Sequence, residues 1–200
     1  MKSVCVYCGS NFGARPVYRH AAQAVGKELA TRGITLVYGG GNVGLMGTVA
    51  DATLQHGGEV QGVIPERLMQ REVGHSGITQ LFVVRTMHER KDKMAQLSEG
   101  FITLPGGIGT LDEMFEMMTW LQLGYHEKPI GILNVDGYYD GLWVFLQKAV
   151  DQGFVRPEQF AQWIVDSDPA QLIDRMIAAE LMDAETALTH TLQHHPWPQE

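Results

Sequence analysis

The chain has 200 residues, 44% of them hydrophobic and 19% charged, and a formal net charge of -8 at pH 7. This length fits one domain whose core needs no disulfides, and the acidic balance argues against nucleic-acid or membrane-surface binding, because both need basic patches. No segment approaches transmembrane length, and the N-terminal apolar run is too short for a signal peptide. Only two cysteines are present, Cys5 and Cys8, so a disulfide framework is excluded and a cytoplasmic location is expected.

Short apolar, β-rich runs alternate along the chain with longer segments of helical periodicity. The predicted strands are Val4–Tyr7, Thr35–Tyr38, Val60–Ile64, Leu81–Arg85, Phe101–Leu104, Pro129–Asn134 and Trp163–Val165. The predicted helices are Pro16–Arg32, Leu45–His56, a charged helix ending near Ser98, a helix ending near Leu123, Gly141–Gln152 and Pro169–Leu181. The alternation predicts an α/β fold with a doubly wound, mostly parallel sheet of about seven strands and helices on both faces. We expect residues 1–182 to form this domain and residues 183–200 to be a polar tail, which is a candidate for disorder.

Three glycine-containing loops follow predicted strands, after Tyr7, after Tyr38 and after Leu104. Ligands of such sheets bind beyond the carboxyl ends of the strands, so these loops are expected to share one site. The loop after Tyr38, residues 39–44, fits G-x-G-x-x-G, which indicates either a dinucleotide site or a tight turn with close helix packing. The acid that a dinucleotide site needs is not convincingly placed by Glu59 or Glu66.

The loop Pro105-Gly106-Gly107-Ile108-Gly109-Thr110 is the strongest candidate for a phosphate site. Its glycines allow backbone N–H groups to approach an anion, and the N-terminus of the following helix points to the same place. Thr110 and Glu113 also fit the sequence pattern of a helix capping box. Glu113 therefore either caps the helix N-terminus or lies beside the phosphate. The apolar stripe of this helix is expected to pack in the core; it comprises Leu111, Met114, Phe115, Met118 and Leu121.

Two further patterns leave alternatives open. Thr86 and Glu89 form another capping box, and the charges after it indicate either a solvated face with a Glu89–Lys93 pair or a substrate anion near Arg90 and Lys91. Cys5 and Cys8 form C-x-x-C with no second pair, so zinc binding and redox chemistry are both disfavoured. We therefore expect a buried Cys5, a Cys8 next to the turn, and no metal site.

Four motifs in order carry a family resemblance. They are Cys8-Gly9-Ser10, the segment 39–47, Met87-His88-Glu89-Arg90-Lys91, and the segment 105–113, which matches P-G-G-x-G-T-x-x-E. In these motifs the chain resembles the LOG ("lonely guy") family of cytokinin-activating phosphoribohydrolases, once widely mislabelled lysine decarboxylases. The resemblance covers residues 1 to about 180, and one departure is Ile108, where many members carry an aromatic residue.

The resemblance implies a Rossmann-like fold, a homodimer, and no cofactor. It also implies hydrolysis of the N-glycosidic bond of a nucleoside 5′-monophosphate, either AMP or an N6-modified AMP, to the free base and ribose 5-phosphate. Arg90 and Glu113 would be catalytic. The implied binding residues are Glu72, Lys91, Gly107, Ile108, Gly109, Thr110, Leu111, Asp112 and Thr119, with Ser10, Gly41, Gly44 and Met87 as further candidate contacts.

The residue types suit this reaction. Glycosidic cleavage passes through an oxocarbenium-like sugar, which a carboxylate such as Glu113 can stabilise while it orients or deprotonates water. Arg90 stays protonated, so it is expected to anchor the substrate or steady the departing base. A lysine decarboxylase needs a pyridoxal phosphate site, for which no motif is present. The alternatives are a non-catalytic nucleotide or cofactor carrier on the same fold and an NAD-dependent oxidoreductase.

Overall fold

A computed structural model describes residues 1–69 and 74–180 of the chain, so the expected tail at 183–200 and the boundary at 182 lie outside the described residues. The strands are β1 Ser3–Tyr7, β2 Thr35–Tyr38, β3 Val60–Pro65, β4 Gln80–Val84, β5 Gly100–Thr103, β6 Ile130–Leu133 and β7 Trp163–Asp166. The helices are α1 Pro16–Thr31, α2 Gly44–Gln55, α3 Glu66–Met69, α4 Met87–Gln96, α5 Ile108–Gln122, α6 Asp140–Asp151, α7 Pro157–Ala161 and α8, which covers residues 169–180.

All seven strands lie in one sheet in the order β4-β3-β2-β1-β5-β6-β7, and every neighbouring pair is parallel. The chain builds outward from β1 through β4 and then returns to β1's other side as β5. The strand order therefore reverses between β1 and β5, whose final residues Tyr7 and Thr103 are in register. In doubly wound sheets this reversal opens a crevice at the carboxyl ends of the strands, which is where ligands bind.

Helices cover both faces of the sheet, as the sequence predicts. One apolar cluster packs α1, α2 and α8 against alternate residues of the central strands, for example Val4, Leu36 and Ile102. The other packs α4, α5 and α6 against the strand residues adjacent in sequence to these, for example Cys5, Val37 and Phe101. Because successive side chains of a strand point to opposite faces, these apolar strand segments fill two cores at once.

The predicted strands and the six predicted helices are all present, with bounds that differ by at most two residues within the described ranges; the predicted end of the last helix at Leu181 lies outside them. The short helices α3 and α7 and a 3₁₀ turn at Val135–Gly137 were not predicted, because each is too brief to show a periodicity. Strand β4 lies at the sheet edge and is only half-buried, so it departs from the rule that these strands are covered on both sides. Within the described ranges, no helix has the length and apolar character needed to cross a membrane.

Candidate functional site

The loops after β1, β2 and β5 are joined to one another by backbone contacts. The Gly9 N–H donates to the Pro105 carbonyl (3.1 Å), and the Leu45 N–H at the start of α2 donates to the Gly9 carbonyl (3.0 Å). Gly44 has φ +58°, and a Cβ there would lie 2.3 Å from the backbone carbon of Ser10. The glycines of residues 39–44 thus serve a tight turn and close packing, which is one of the two interpretations of this loop.

Helix α5 begins earlier than its sequence indicates. Gly107 is the N-cap residue, with no side-chain capping bond, so Thr110 lies inside the first turn and the predicted Thr110–Glu113 capping box is wrong. A Cβ on Gly106 would lie 2.1 Å from the Thr110 hydroxyl, so the Thr110 side chain packs over that glycine and is buried. The glycines leave room for the helix to start directly after Pro105-Gly106, and the Glu113 side chain is then directed toward Arg90.

A cavity of about 240 Å³ lies at the start of α5, beside the end of β1. Nine of the expected site residues line it: Ser10, Met87, Arg90, Gly107, Ile108, Gly109, Thr110, Asp112 and Glu113. Cys8 and Met46 also line it, although the sequence analysis did not single them out as contacts. Helix-start N–H groups, the guanidinium of Arg90 and the carboxylates of Asp112 and Glu113 therefore face one space, and the N–H groups and guanidinium can hold an anionic ligand there.

Arg90 is buried and held by three different parts of the fold. Its Nε donates to the carbonyl of Val63 within β3, and its Nη2 donates to the Gly39 carbonyl after β2, both at 3.2 Å. Its Nη1 lies 3.9 Å from the Glu113 Oε1. The interpretation of this helix face as solvated is therefore wrong for Arg90, which is only 6% exposed.

The start of α4 explains how Arg90 is presented. The Thr86 hydroxyl accepts a hydrogen bond from the Glu89 N–H (3.1 Å), as the predicted capping box requires. The Glu89 carboxylate accepts a hydrogen bond from the N–H of Arg85. In a complete capping box it would accept from the N–H of the N-cap residue, Thr86. The Lys93 ammonium lies over the ring of Phe82. Within the described chain, the predicted Glu89–Lys93 pair is therefore replaced by a bond from Glu89 to the Arg85 N–H and a contact of Lys93 with Phe82.

Lys91 connects α4 to α5 next to the cavity. Its Nζ lies 3.0 Å from the Glu116 Oε1 and 3.3 Å from the Asp112 Oδ2. Partial burial disfavours the charged ammonium, but the hydrogen bonds and charges of Glu116 and Asp112 outweigh it, and the pKa of Lys91 is raised. Lys91 is therefore a fixed cation, which is the opposite of the neutral amine that Schiff-base chemistry needs.

Both cysteines are buried and free, in agreement with the expectation for Cys5 and with a Cys8 that borders the first loop. Burial raises the pKa of each thiol well above its ordinary value, and the Glu113 carboxylate raises the pKa of Cys8 further. Neither cysteine is therefore a thiolate at neutral pH, so nucleophilic thiol chemistry is disfavoured at this site.

Comparison with known proteins identifies relatives of this chain. Residues 46–176 match a family model described as "Possible lysine decarboxylase". The chain is 49% identical over 175 residues to the probable cytokinin riboside 5′-monophosphate phosphoribohydrolase LOGL2 of Oryza sativa subsp. japonica, covering 88% of this chain and 72% of that one. It is 52% identical over 168 residues to the cytokinin riboside 5′-monophosphate phosphoribohydrolase LOG7 of Arabidopsis thaliana, covering 84% of this chain and 76% of that one. The chain belongs to the LOG family.

Solved structures that share the fold of this LOG protein include two molybdenum cofactor proteins. The molybdenum cofactor binding protein from Rippkaea orientalis superposes with a TM-score of 0.68 at 21% identity, covering 89% of this chain and 97% of that one. The molybdenum cofactor carrier protein from Chlamydomonas reinhardtii superposes with a TM-score of 0.66 at 20% identity, covering 90% and 98%. At these identities the likeness establishes the Rossmann-like fold alone.

Several residues implied by the LOG resemblance lie outside the cavity lining. Leu111 packs with the core cluster, and Thr119 donates its hydroxyl to the Phe115 carbonyl on the exposed side of α5. Gly41 pairs with Gly74 in an isolated bridge, and Gly44 packs on the first loop. Their roles in binding stay predictions, and Glu72 lies outside the described residues.

Proposed function

We propose that this LOG protein hydrolyses the N-glycosidic bond of a purine nucleoside 5′-monophosphate, releasing the base and ribose 5-phosphate. The observation that carries the proposal is the arrangement at the α5 start, where Arg90 and Glu113 face the same cavity as the Gly107–Thr110 backbone. The relatives named as cytokinin riboside 5′-monophosphate phosphoribohydrolases support an N6-modified AMP as substrate, and we propose AMP itself as a second one.

In the proposed mechanism the 5′-phosphate binds the N–H groups at the α5 N-terminus, where the helix dipole also favours negative charge. The ribose then lies toward Glu113, whose carboxylate stabilises the positive charge that develops on the sugar. Glu113 takes a proton from the attacking water as its oxygen bonds to the anomeric carbon. The base leaves with the bonding electron pair and is protonated from solvent, while the proton held by Glu113 returns to solvent, so one water is consumed and no net proton is gained or lost. Arg90 remains a cation throughout and orients Glu113 and the substrate.

The decisive variant is Glu113→Gln, which keeps the side-chain shape and removes the charge. Loss of a general base typically lowers turnover by about 10² to 10⁴-fold. We expect kcat for base release from AMP to fall in that range while AMP still raises the Tm of the protein. Glu127→Gln is the matched control, because it makes the same chemical change on an exposed residue after the far end of α5.

Chromatography of AMP and an N6-modified AMP after incubation with the protein measures the reaction directly. Unchanged turnover in Glu113→Gln would refute the assigned role, and absence of base release by the unaltered protein would refute the hydrolase. A non-catalytic carrier on this fold would instead show nucleotide-induced stabilisation without release of base.

The description "Possible lysine decarboxylase" does not suit this cavity. A Schiff-base lysine must be able to lose its proton, whereas the neighbouring Lys91 is paired with two carboxylates and has a raised pKa. No lysine among the described residues lines the cavity itself.

We further propose that the protein acts as a homodimer in the cytoplasm. Size-exclusion chromatography with light scattering would test the homodimer, and cell fractionation would test the location.

A further inference from the structure

Three consecutive carbonyl groups precede the helix start at which the proposed phosphate binds, and each accepts a hydrogen bond from elsewhere in the fold. The Leu104 carbonyl accepts from the Tyr139 hydroxyl (2.7 Å), and the Gly106 carbonyl accepts from the Tyr138 hydroxyl (2.6 Å). The Pro105 carbonyl between them accepts from the Gly9 N–H. The two tyrosines come from the loop after β6, more than 30 residues away along the chain.

The Gly106–Gly107 peptide is the one that most needs such a restraint. A glycine on each side gives this peptide unusual freedom to rotate, since neither residue has a Cβ. In a trans peptide the C=O of one residue and the N–H of the next point in opposite directions. By holding the Gly106 carbonyl, Tyr138 therefore directs the Gly107 N–H to the opposite side of the peptide plane.

On the proposed function, the substrate phosphate takes that opposite side. Tyr138 and Gly106 line a neighbouring cavity of about 260 Å³, whereas Gly107 also lines the cavity that contains Arg90 and Glu113. If the peptide rotated, the Gly106 carbonyl oxygen would face the phosphate and repel it. The hydroxyl of Tyr138 thus keeps a donor, and not an acceptor, in front of the anion.

The loop that carries the tyrosines is itself fixed. Asp136 adopts a left-handed conformation with φ +52°, which is uncommon for a residue with a side chain, and its carboxylate pairs with Arg15. The Asn134 side chain accepts from the Tyr139 N–H (2.8 Å) and donates to Asp140 (2.7 Å). The rings of Tyr138 and Tyr139 contact each other at 4.9 Å between centroids.

We propose that Tyr138, supported by Tyr139, is a positioning residue that selects for the phosphate of the substrate by fixing the Gly106–Gly107 peptide. This inference rests on the proposed function for the identity of the anion as a nucleotide phosphate. It predicts that loss of the hydroxyl weakens binding of phosphate-bearing ligands and leaves the binding of the same ligand without phosphate unchanged.

The test compares Tyr138→Phe with the unaltered protein. The ring is half-exposed and its contacts with Tyr18 and Tyr139 remain, so the variant should fold. We expect KM for AMP to rise about tenfold, in keeping with one lost hydrogen bond, while kcat stays within about twofold. Calorimetry should show a similar loss of affinity for ribose 5-phosphate and for inorganic phosphate, with adenosine binding unchanged.

Tyr18→Phe is the matched control, because it removes a hydroxyl from the ring that packs against Tyr138 and leaves the carbonyl bond intact. Equal weakening of adenosine and phosphate binding in Tyr138→Phe would overturn the proposal, as would unchanged phosphate affinity. Tyr139→Phe removes the buried bond to Leu104 and should weaken phosphate binding in the same selective way. Calorimetry with phosphate needs no turnover, so failure of the hydrolase assay and failure of this proposal are distinguishable.

Discussion

Gly39 is predicted to control the reaction although it lies outside the cavity lining. A Cβ added at this position would lie 2.0 Å from the Nη2 of Arg90, well inside contact distance. Gly39 does not have a positive φ, so alanine can adopt its backbone conformation and the effect of Gly39→Ala is steric. The guanidinium must therefore move away from the Gly39 carbonyl and change its position relative to Glu113.

The size of the effect follows from the contacts of Arg90. Hydrogen bonds from a charged donor contribute about 1.5–3 kcal/mol each, and Arg90 makes one to Gly39 and one to Val63. Loss of one to two of these bonds should lower the free energy of unfolding by about 1.5–6 kcal/mol and Tm by about 3–24 °C. A displacement of about 1 Å in a catalytic group can cost about 100-fold, so kcat/KM for AMP should fall by that factor.

The assay is a double-mutant cycle with Gly39→Ala, Arg90→Met and the double variant, scored by kcat/KM for base release and by Tm. If Gly39 acts through Arg90, adding Gly39→Ala to Arg90→Met should change kcat/KM little. Gly141→Ala is the control, since a Cβ there meets no atom within 4 Å. An unchanged rate in Gly39→Ala, or equal losses in both backgrounds, would refute the reasoning.

Three further predictions concern stability. The neutral His126 ring interacts through Nε2 with the Met117 carbonyl and accepts the Lys128 N–H at Nδ1, and burial lowers its pKa from the ordinary value of about 6.5. Because the pKa of His126 is lower in the folded protein, the unfolded chain binds the proton first as the pH falls, and the free energy of unfolding should fall as the pH drops below about 6.5. In His126→Gln the denaturant midpoint should depend less on pH over the same range. Gly44→Ala should lower Tm by about 4–8 °C or more, because alanine is strained at φ +58° and its Cβ would clash with the first loop. An unchanged calorimetric Tm would contradict this. Gly141→Ala near the start of α6 should raise stability by up to about 1 kcal/mol in urea unfolding, and a loss there would show that this helix start is strained.

Local patterns in the sequence determined much of this protein. The alternation of apolar strands with amphipathic helices predicted the doubly wound sheet, because the faces of strands and helices must be buried whichever way the chain is wound. The glycine loops after Tyr7, Tyr38 and Leu104 predicted the edge of the sheet at which the candidate site lies, because parallel strands bring those ends to one edge. The order of four motifs then indicated the LOG family, which the relatives confirm.

Only the tertiary structure decided what individual polar side chains do. The sequence left Arg90 between a solvated face and a substrate contact, and its bonds to Val63 and Gly39, 27 and 51 residues away, place it in the interior. Thr110 and Glu113 matched a capping pattern, but the packing of Thr110 on Gly106 let the helix begin at Ile108. A capping pattern involves only residues three positions apart. The Gly39–Arg90 contact and the hydrogen bonds from Tyr138 and Tyr139 to the loop before α5 form only after strands far apart in the chain pair side by side.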